Sequence, residues 1–264
     1  MINRKWCQLF LGIIVSVMII ACSINFNTTD ISTFKVATDP TFLPFSYQTA
    51  NGELEGFDID IINAVSQAAG LKLELESITF DGMIAALVVN RVDAAINGIT
   101  ITRERLQTVS FSRPYMKAGL AIAVRENNQD IKDLNTLAGK IIGVQIGTTG
   151  ANYAKTISNA EIRNYNTGYE FFQELLNGNV DAVICDGFAT LYAIKTGNLS
   201  RVKVVSDLLT QEYYGIAMPK DSLHLDSINK AIATIFANGT YKQIYQKWFN
   251  TEPPKLPESI PSLS

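Results

Sequence analysis

The amino-acid sequence predicts an α/β protein with two similar lobes, each a mostly parallel sheet flanked by helices. Three observations lead to this fold class. The 264-residue chain is 47% hydrophobic and 18% charged, which is enough apolar material for a sizeable core. Strand-like and helix-like segments alternate along it, as βαβ units require. One helix-strand segment also recurs, because residues 83–96 align without gaps to residues 171–184.

The first half of the chain contains the clearest strand pattern. Leucines at positions 71, 73 and 75 alternate with charged side chains, as expected of a half-buried strand at 71–76. Residues 57–69 have the apolar spacing of an amphipathic helix. The other elements predicted here are a strand at 34–38, a helix at 81–89, and strands at 93–96 and 119–124.

The second half repeats the alternation and then returns to the first lobe. Crossings near residues 115–119 and 212–215 predict two hinge strands, about which the lobes close on a ligand. The elements predicted for this half are strands at 141–146, 161–165 and 181–184, and helices at 151–157, 169–176, 187–195, 223–238 and 241–249. The segment 213–219 is expected to return the chain to the first lobe.

The N-terminal residues 1–22 form a separate unit. Arg4 and Lys5 precede an apolar run at 9–20, which is typical of a secretory signal and shorter than the roughly 18 residues of a membrane span. The run ends at Ile-Ile-Ala-Cys, which resembles a bacterial lipobox with Cys22 as the lipidated residue; ordinary cleavage nearby is the alternative. Residues 23–33 would then be a tether, and the Pro- and Ser-rich residues 251–264 a flexible tail.

The charge of the chain limits its partners. A net charge of −3 leaves no basic field for phosphates, so we expect no nucleic-acid partner. The body beyond the signal contains a single cysteine, Cys185, which excludes an internal disulfide. The ligand is therefore expected to be a small molecule.

Two charged residues follow the predicted buried strands. Open α/β sheets bind ligands beyond the carboxyl ends of their strands. Arg105 follows a Thr-rich turn, and its planar guanidinium together with Thr100 suits a carboxylate. Asp186 follows the strand at 181–184 and suits an ammonium group. An exposed loop arginine and a helix-capping aspartate are the alternatives, and Arg103 is a competitor for the first role.

Several motifs, in order, resemble one known family. They are VATDPTFLPFSY at 36–47, GFDIDI at 56–61, NGITITRERLQTVSFSRPY at 97–115, GVQIGTT at 143–149 and NGTYKQIYQKWF at 238–249. Over residues 34–249 the chain resembles the bacterial extracytoplasmic binding proteins of ABC importers for polar amino acids, including glutamine-, histidine- and lysine/arginine/ornithine-binding members.

The resemblance implies a periplasmic-binding-protein fold and an importer function. The first lobe would comprise residues 34–117 and 216–250, and the second lobe residues 118–215. The protein would be a monomer, lipid-anchored to the membrane outside the cytoplasm. It would bind a free polar L-amino acid between the lobes and deliver it to an ABC transporter permease.

The resemblance also implies a set of ligand contacts. Arg105 would hold the α-carboxylate, and Asp186 the α-ammonium group. The further contacts implied are Thr100, Thr148 and Thr149 for the carboxylate, the Gly98 carbonyl for the ammonium group, Phe42 and Phe80 for the ligand side chain, and Asp39 for its polar end.

Two positions leave the ligand open between glutamine and a basic amino acid. Gln145, also implied as a ligand contact, stands where glutamine binders carry lysine, and resembles the histidine- and arginine-type members. Cys185 replaces a histidine of the glutamine pattern. Asp39 could accept either an amide or a cation.

An enzyme and a sensor are the rival classes. Relatives of this fold include dehydratases of cyclic carboxylic acids. The same double lobe also gates receptors and kinases, so a ligand-sensing partner of a separate receptor is the other alternative. The sequence contains one histidine, His224, and no evident nucleophile-base pair or metal-ligand cluster. We therefore expect no catalytic residue, metal or cofactor.

Overall fold

The computed structural model describes residues 33–262. The predicted signal, Cys22 and nearly all of the tether lie outside the described residues. From Thr33 onward the chain forms one compact unit. Within the described range, no helix is long and apolar enough to cross a membrane.

The first lobe is built on a sheet of five strands, which are β1 (Thr33–Thr38), β5 (Lys72–Ser77), β6 (Ala94–Ala95), β7 (Val109–Phe111) and β15 (Ala217–Pro219). Their order in the sheet is β5-β1-β6-β15-β7. β1 pairs in parallel with β5 and β6, whereas β15 is antiparallel to both β6 and β7. Four of the five strands therefore run the same way, as predicted.

The second lobe has five strands, which are β9 (Leu120–Arg125), β10 (Ile141–Gln145), β11 (Glu161–Tyr165), β12 (Ala182–Asp186) and β13 (Val202–Val204). They repeat the topology of the first lobe in the order β11-β10-β12-β9-β13. β10 pairs in parallel with β11 and β12, and β9 is antiparallel to β12 and β13. β6 and β12, which end the two copies of the sequence repeat, both occupy the third position of their sheets.

Eight α-helices are described, and most begin or end at recognisable signals. Thr167 and Glu170 form a capping box before one helix, which ends at Gly178 in the left-handed region. The helices are α1 (Phe57–Ala69), α2 (Phe80–Val88), α3 (Arg103–Thr108), α4 (Thr149–Ala154), α5 (Gly168–Asn177), α6 (Gly187–Lys195), α7 (Leu225–Ala237) and α8 (Thr240–Phe249), with a 3-10 helix at Leu134–Leu137.

The last two helices belong to the first lobe. Ile228 and Ile232 of α7 and Tyr245 of α8 are buried in one cluster with Ile61 and Val65 of α1. The chain thus leaves the first lobe, builds the second, and returns. The lobe limits given above stay a prediction.

Two strands connect the lobes, as predicted. β8 (Met116–Ala118) pairs antiparallel with β14 (Glu212–Tyr214). The segment 213–219, which was expected to return the chain to the first lobe, is divided between two partners. Its first part pairs with β8, and its second part, β15, pairs with β6 and β7.

Other boundaries also differ from prediction. The helix predicted at 223–238 begins at Leu225, and the side chain of Leu223 is 98% exposed. A three-stranded sheet of β2 (Thr41–Phe42), β3 (Ser46–Gln48) and β4 (Leu54–Glu55) was not predicted, because strands this short carry no clear periodicity.

The described part of the predicted flexible tail contacts the first lobe. Residues 251–262 form no helix or strand. Leu256 is nevertheless buried in the first-lobe core, and Ile260 packs against a second cluster of that lobe. These apolar contacts hold this part of the tail against the first lobe.

Candidate functional site

A cavity of about 370 Å³ lies between the two lobes, at the carboxyl ends of β6, β10 and β12. This is where the rule for open α/β sheets predicts a ligand site. The cavity brings together nine of the ten predicted contacts. These are Phe42, Phe80, Gly98, Thr100, Arg105, Gln145, Thr148, Thr149 and Asp186.

Arg105 spans the gap between the lobes. It lies in the first turn of α3, where its backbone N–H donates to the Thr102 hydroxyl that caps the helix. Its guanidinium donates to the carbonyl of Thr100 at 2.8 Å and, across the cleft, to that of Gly147 at 2.9 Å. The guanidinium also lies over the Phe80 ring, 5.5 Å from its centroid.

These contacts fix the direction of the Arg105 fork. Burial lowers the pKa of this guanidinium, since the charged form loses hydration. An anionic ligand group would restore favourable interactions for the buried charge. Arg103, the competitor named above, does not line the cavity.

Asp186 caps a helix, which was the alternative considered for it in the sequence, and it also lines the cavity. It ends β12 and caps α6, because one carboxylate oxygen accepts the Ala189 N–H at 2.6 Å. The other oxygen accepts the hydroxyl of Tyr214. Burial raises the pKa of Asp186 to about 6, although both hydrogen bonds act in the opposite direction. This carboxylate faces the cavity, and the groups that donate hydrogen bonds to it are neutral.

Gly98 lies at a point where only glycine fits. Its φ is +57°, and a Cβ atom would lie 2.6 Å from a ring carbon of Phe42. Its N–H donates to a carboxylate oxygen of Asp58 at 2.6 Å. Asp58 is fully buried behind the cavity wall, and burial raises its pKa to about 7. Sequence reasoning missed this supporting carboxylate.

The second lobe contributes a polar turn after β10. Thr148 caps α4 by accepting the Ala151 N–H, while its hydroxyl donates to the Gln145 carbonyl. The Gln145 amide donates to the carbonyl of Asn166 at 2.9 Å. The turn is thus ordered by its own hydrogen bonds at the cavity wall.

The two phenylalanines line the cavity on separate supports. Phe42 stacks on Phe45 with ring centroids 4.9 Å apart, and Phe80 lies under the Arg105 guanidinium. Both rings are partly exposed to the cavity side. They provide apolar surface next to the charged groups.

Asp39 is the exception among the predicted contacts, because it does not line the cavity. Its carboxylate accepts hydrogen bonds from the N–H and hydroxyl of Thr41 and from the N–H of Phe80. The side chain is 2% exposed. Asp39 therefore holds the loop that precedes Phe42 and the first turn of α2, and we do not keep it as a direct ligand contact.

The cavity also contains residues that sequence reasoning did not assign to it. Glu212 was placed only in the hinge, yet its carboxylate accepts the hydroxyl groups of Thr100 at 2.7 Å and Thr149 at 3.1 Å. The alternation of side chains along β14 would have placed Glu212 and Tyr214 on one face of the strand. Other lining residues that were missed include Thr41, Leu43, Asn97, Tyr169, Phe171, Phe172, Gln173, Thr190, Asn198 and Leu199.

Comparison with known proteins places this chain in one group. Residues 34–251 match the model of the bacterial extracellular solute-binding proteins, family 3. The L-cystine-binding protein of Escherichia coli (strain K12) is 30% identical over 223 residues, which cover 83% of this chain and 84% of that protein.

Solved structures agree with this match. The arginine-, lysine-, histidine-binding protein of Geobacillus stearothermophilus superposes with a TM-score of 0.81 at 38% identity, covering 84% of this chain and 97% of that one. An ancestral amino acid-binding protein, described as a precursor of cyclohexadienyl dehydratase, superposes with a TM-score of 0.76 at 38% identity, covering 82% and 95%. The chain belongs to family 3 of the bacterial extracellular solute-binding proteins and has their two-lobed, amino-acid-binding fold.

Proposed function

We propose that the chain is the substrate-binding lipoprotein of an ABC-type importer and binds a polar L-amino acid, glutamine or a basic residue, between its lobes. One observation supports the proposal most strongly. Arg105 of the first lobe and Asp186 of the second line the same cavity. Only a ligand that carries both an anion and a cation satisfies the two groups together.

Binding of such a zwitterion would favour the closed form. Charge-assisted hydrogen bonds contribute roughly 1.5–3 kcal/mol each, and water is excluded when the lobes meet. Because the two charges belong to different lobes, both are satisfied only when the lobes are together. A permease could then distinguish loaded from empty protein by shape.

The relatives bind different amino acids, which leaves the identity of the ligand open. One relative is named for L-cystine, and one solved neighbour for arginine, lysine and histidine. The proposed site accounts for the part that these ligands share, the α-carboxylate and α-ammonium groups. Their side chains would occupy the space beside Phe42 and Phe80.

A thermal-shift screen of the common L-amino acids and L-cystine tests the proposal. Ligand at one hundred times its Kd adds about 2.7 kcal/mol of stability, so Tm should rise by roughly 5 °C or more with glutamine or a basic amino acid. Glucose and the D-amino acids are the controls. A shift with the sugar, or none with any amino acid, would refute the proposal.

Catalysis is the rival function, since one structural neighbour is described as a precursor of a dehydratase. A dehydratase would need a general acid aimed at the substrate. Both carboxylate oxygens of Asp186 are hydrogen-bonded within the protein. We therefore propose binding without reaction, and product from prephenate or arogenate at catalytic rates would establish the dehydratase instead.

The lipid anchor has its own test. Cells expressing the full chain and grown with alkyne-tagged palmitate should label the wild-type protein and Cys7→Ser. Cys22→Ser should remain unlabelled, because its serine provides no thiol for acylation. Label retained in Cys22→Ser, or absent from the wild type, would exclude Cys22 as the acylated residue.

A further inference from the structure

We propose that Glu212 is a third charged recognition residue of the amino-acid site, and that it makes the cleft prefer ligands of net positive charge. The inference rests on the proposed function and deepens it, because the sequence leaves glutamine and the basic amino acids equally open. It also assigns a binding role to a residue of the connecting strands.

Glu212 is placed to act on the ligand. It begins β14, and alternate side chains of a strand point to the same face, so Glu212 and Tyr214 both line the cavity. Tyr214 donates to Asp186, at the end predicted for the ammonium group. Glu212 lies at the end predicted for the carboxylate, where it accepts hydrogen bonds from the hydroxyls of Thr100 and Thr149 and its charge acts on Arg105.

The hydroxyls that surround Glu212 come from three parts of the cleft. Thr100 belongs to the first lobe and Thr149 to the second, and Thr210 of the connecting segment donates at 3.1 Å to the other carboxylate oxygen. Neutral hydroxyl donors hold the carboxylate in place without cancelling its charge. The charged side chains of the cavity on which Glu212 acts are Arg105, whose pKa it raises by attraction, and Asp186.

The described residues that line the cavity include three side chains with a formal charge at neutral pH: Arg105, Asp186 and Glu212. The cavity wall thus carries one more negative than positive charge. The thiol of Cys185 does not add to it, because burial raises its pKa to about 12. Repulsion from Glu212 is one of the causes that raise the pKa of Asp186.

This surplus decides between the candidate ligands. A glutamine zwitterion brings equal charges and leaves one carboxylate uncompensated in a cleft from which water is excluded. An arginine or lysine brings one additional positive charge and makes the loaded cleft neutral. Opposite charges attract more strongly in the closed cleft than in water, so the difference favours the cation.

L-arginine and L-citrulline test the inference, because they have nearly the same shape and differ in the charge of the side chain. Isothermal titration should give a Kd for citrulline at least about tenfold above that for arginine with the wild-type protein. Glu212→Gln keeps an acceptor oxygen for Thr100 and Thr149 and removes the charge. It should reduce the ratio of the citrulline Kd to the arginine Kd by about tenfold.

Glu126→Gln is the matched control, since Glu126 is exposed and does not line the cavity. It should leave the ratio unchanged. An unchanged ratio in Glu212→Gln, or equal weakening of both ligands, would show that Glu212 only tethers the lobes.

Equal wild-type affinity for the two ligands, or tight binding of glutamine with neither of them, would overturn the inference and leave the proposed function standing. Failure of every amino acid to bind would overturn both.

Discussion

Arg105→Ala should weaken binding of the preferred amino acid by roughly a hundredfold or more. The guanidinium provides the fixed positive charge among the described residues that line the cavity. Its loss leaves the ligand carboxylate desolvated without a charged partner. It also removes the hydrogen bond to Gly147 that joins the lobes. Isothermal titration at neutral pH measures the change in Kd.

Two further variants separate charge from general damage. Arg105→Lys keeps the charge but loses the planar fork, so its affinity should fall between those of the wild type and Arg105→Ala. Arg91→Ala removes an exposed arginine that pairs with Glu76, and it should bind as the wild type does. Binding by Arg105→Ala within about threefold of the wild type would mean that the carboxylate is held elsewhere.

Much of the site could be predicted because it follows the strand ends. Gly98 and Thr100 come after β6, Gln145 ends β10, and Asp186 ends β12. Parallel strands bring their carboxyl ends to one edge of each sheet, and the edges of the two sheets face the same cavity, so residues distant in sequence meet there. Asp186 and Arg105, which the pattern and the resemblance singled out together, both line this cavity, and their roles toward a ligand stay a prediction.

The residues that were missed depend on contacts that the sequence does not encode locally. Glu212 reaches Thr100 over 112 positions and Thr149 over 63. Asp58 supports the Gly98 N–H from inside the first lobe, 40 positions away. The hydrophobic periodicity of a single segment does not predict such pairs, because they form only when segments distant in sequence pack together. Asp39 was implied as a ligand contact by the resemblance, whereas its carboxylate accepts hydrogen bonds from Thr41 and from the Phe80 N–H.

The fold itself was predicted best where the apolar period was long. α1 matches its predicted bounds, since its buried Ile59, Ile62 and Val65 recur at helical spacing. Short elements such as β2 and β13 were missed because two or three residues carry no measurable period. The return segment at 213–219 shows a different limit, because the change of partner from β8 to β6 and β7 divides it into two strands.

The affinity for the amino acid should fall as the pH drops below about 6. Burial raises the pKa of Asp186 to about 6, above the ordinary value of 3.8. Only the ionised carboxylate attracts the ligand ammonium group, which stays protonated throughout this range. Kd should therefore rise roughly tenfold for each pH unit below 6 and level off above pH 7. Titrations at half-unit steps from pH 5 to 8 measure this slope.

Asp186→Asn isolates the cause of that slope. Asparagine still caps a helix, so α6 keeps its N-cap while the charge is removed. The variant should bind roughly a hundredfold more weakly at pH 7.5, and most of the slope near pH 6 should disappear. Any slope that remains near pH 7 would report Asp58, whose pKa is raised to about 7.

The sign of the proton exchange gives an independent check. An ammonium group bound against Asp186 lowers the pKa of this carboxyl in the complex, so binding near pH 6 should release protons from the wild type. Titrations in two buffers of different ionisation enthalpy measure this release, which should be nearly absent in Asp186→Asn. In the empty protein the raised pKa acts on stability in the opposite sense. The folded state holds more protons than the unfolded state between about pH 4 and 6, so this contribution to stability falls as the pH rises, while ligand affinity increases. A flat affinity from pH 5 to 8, or the same proton release in both proteins, would place the ammonium group away from Asp186.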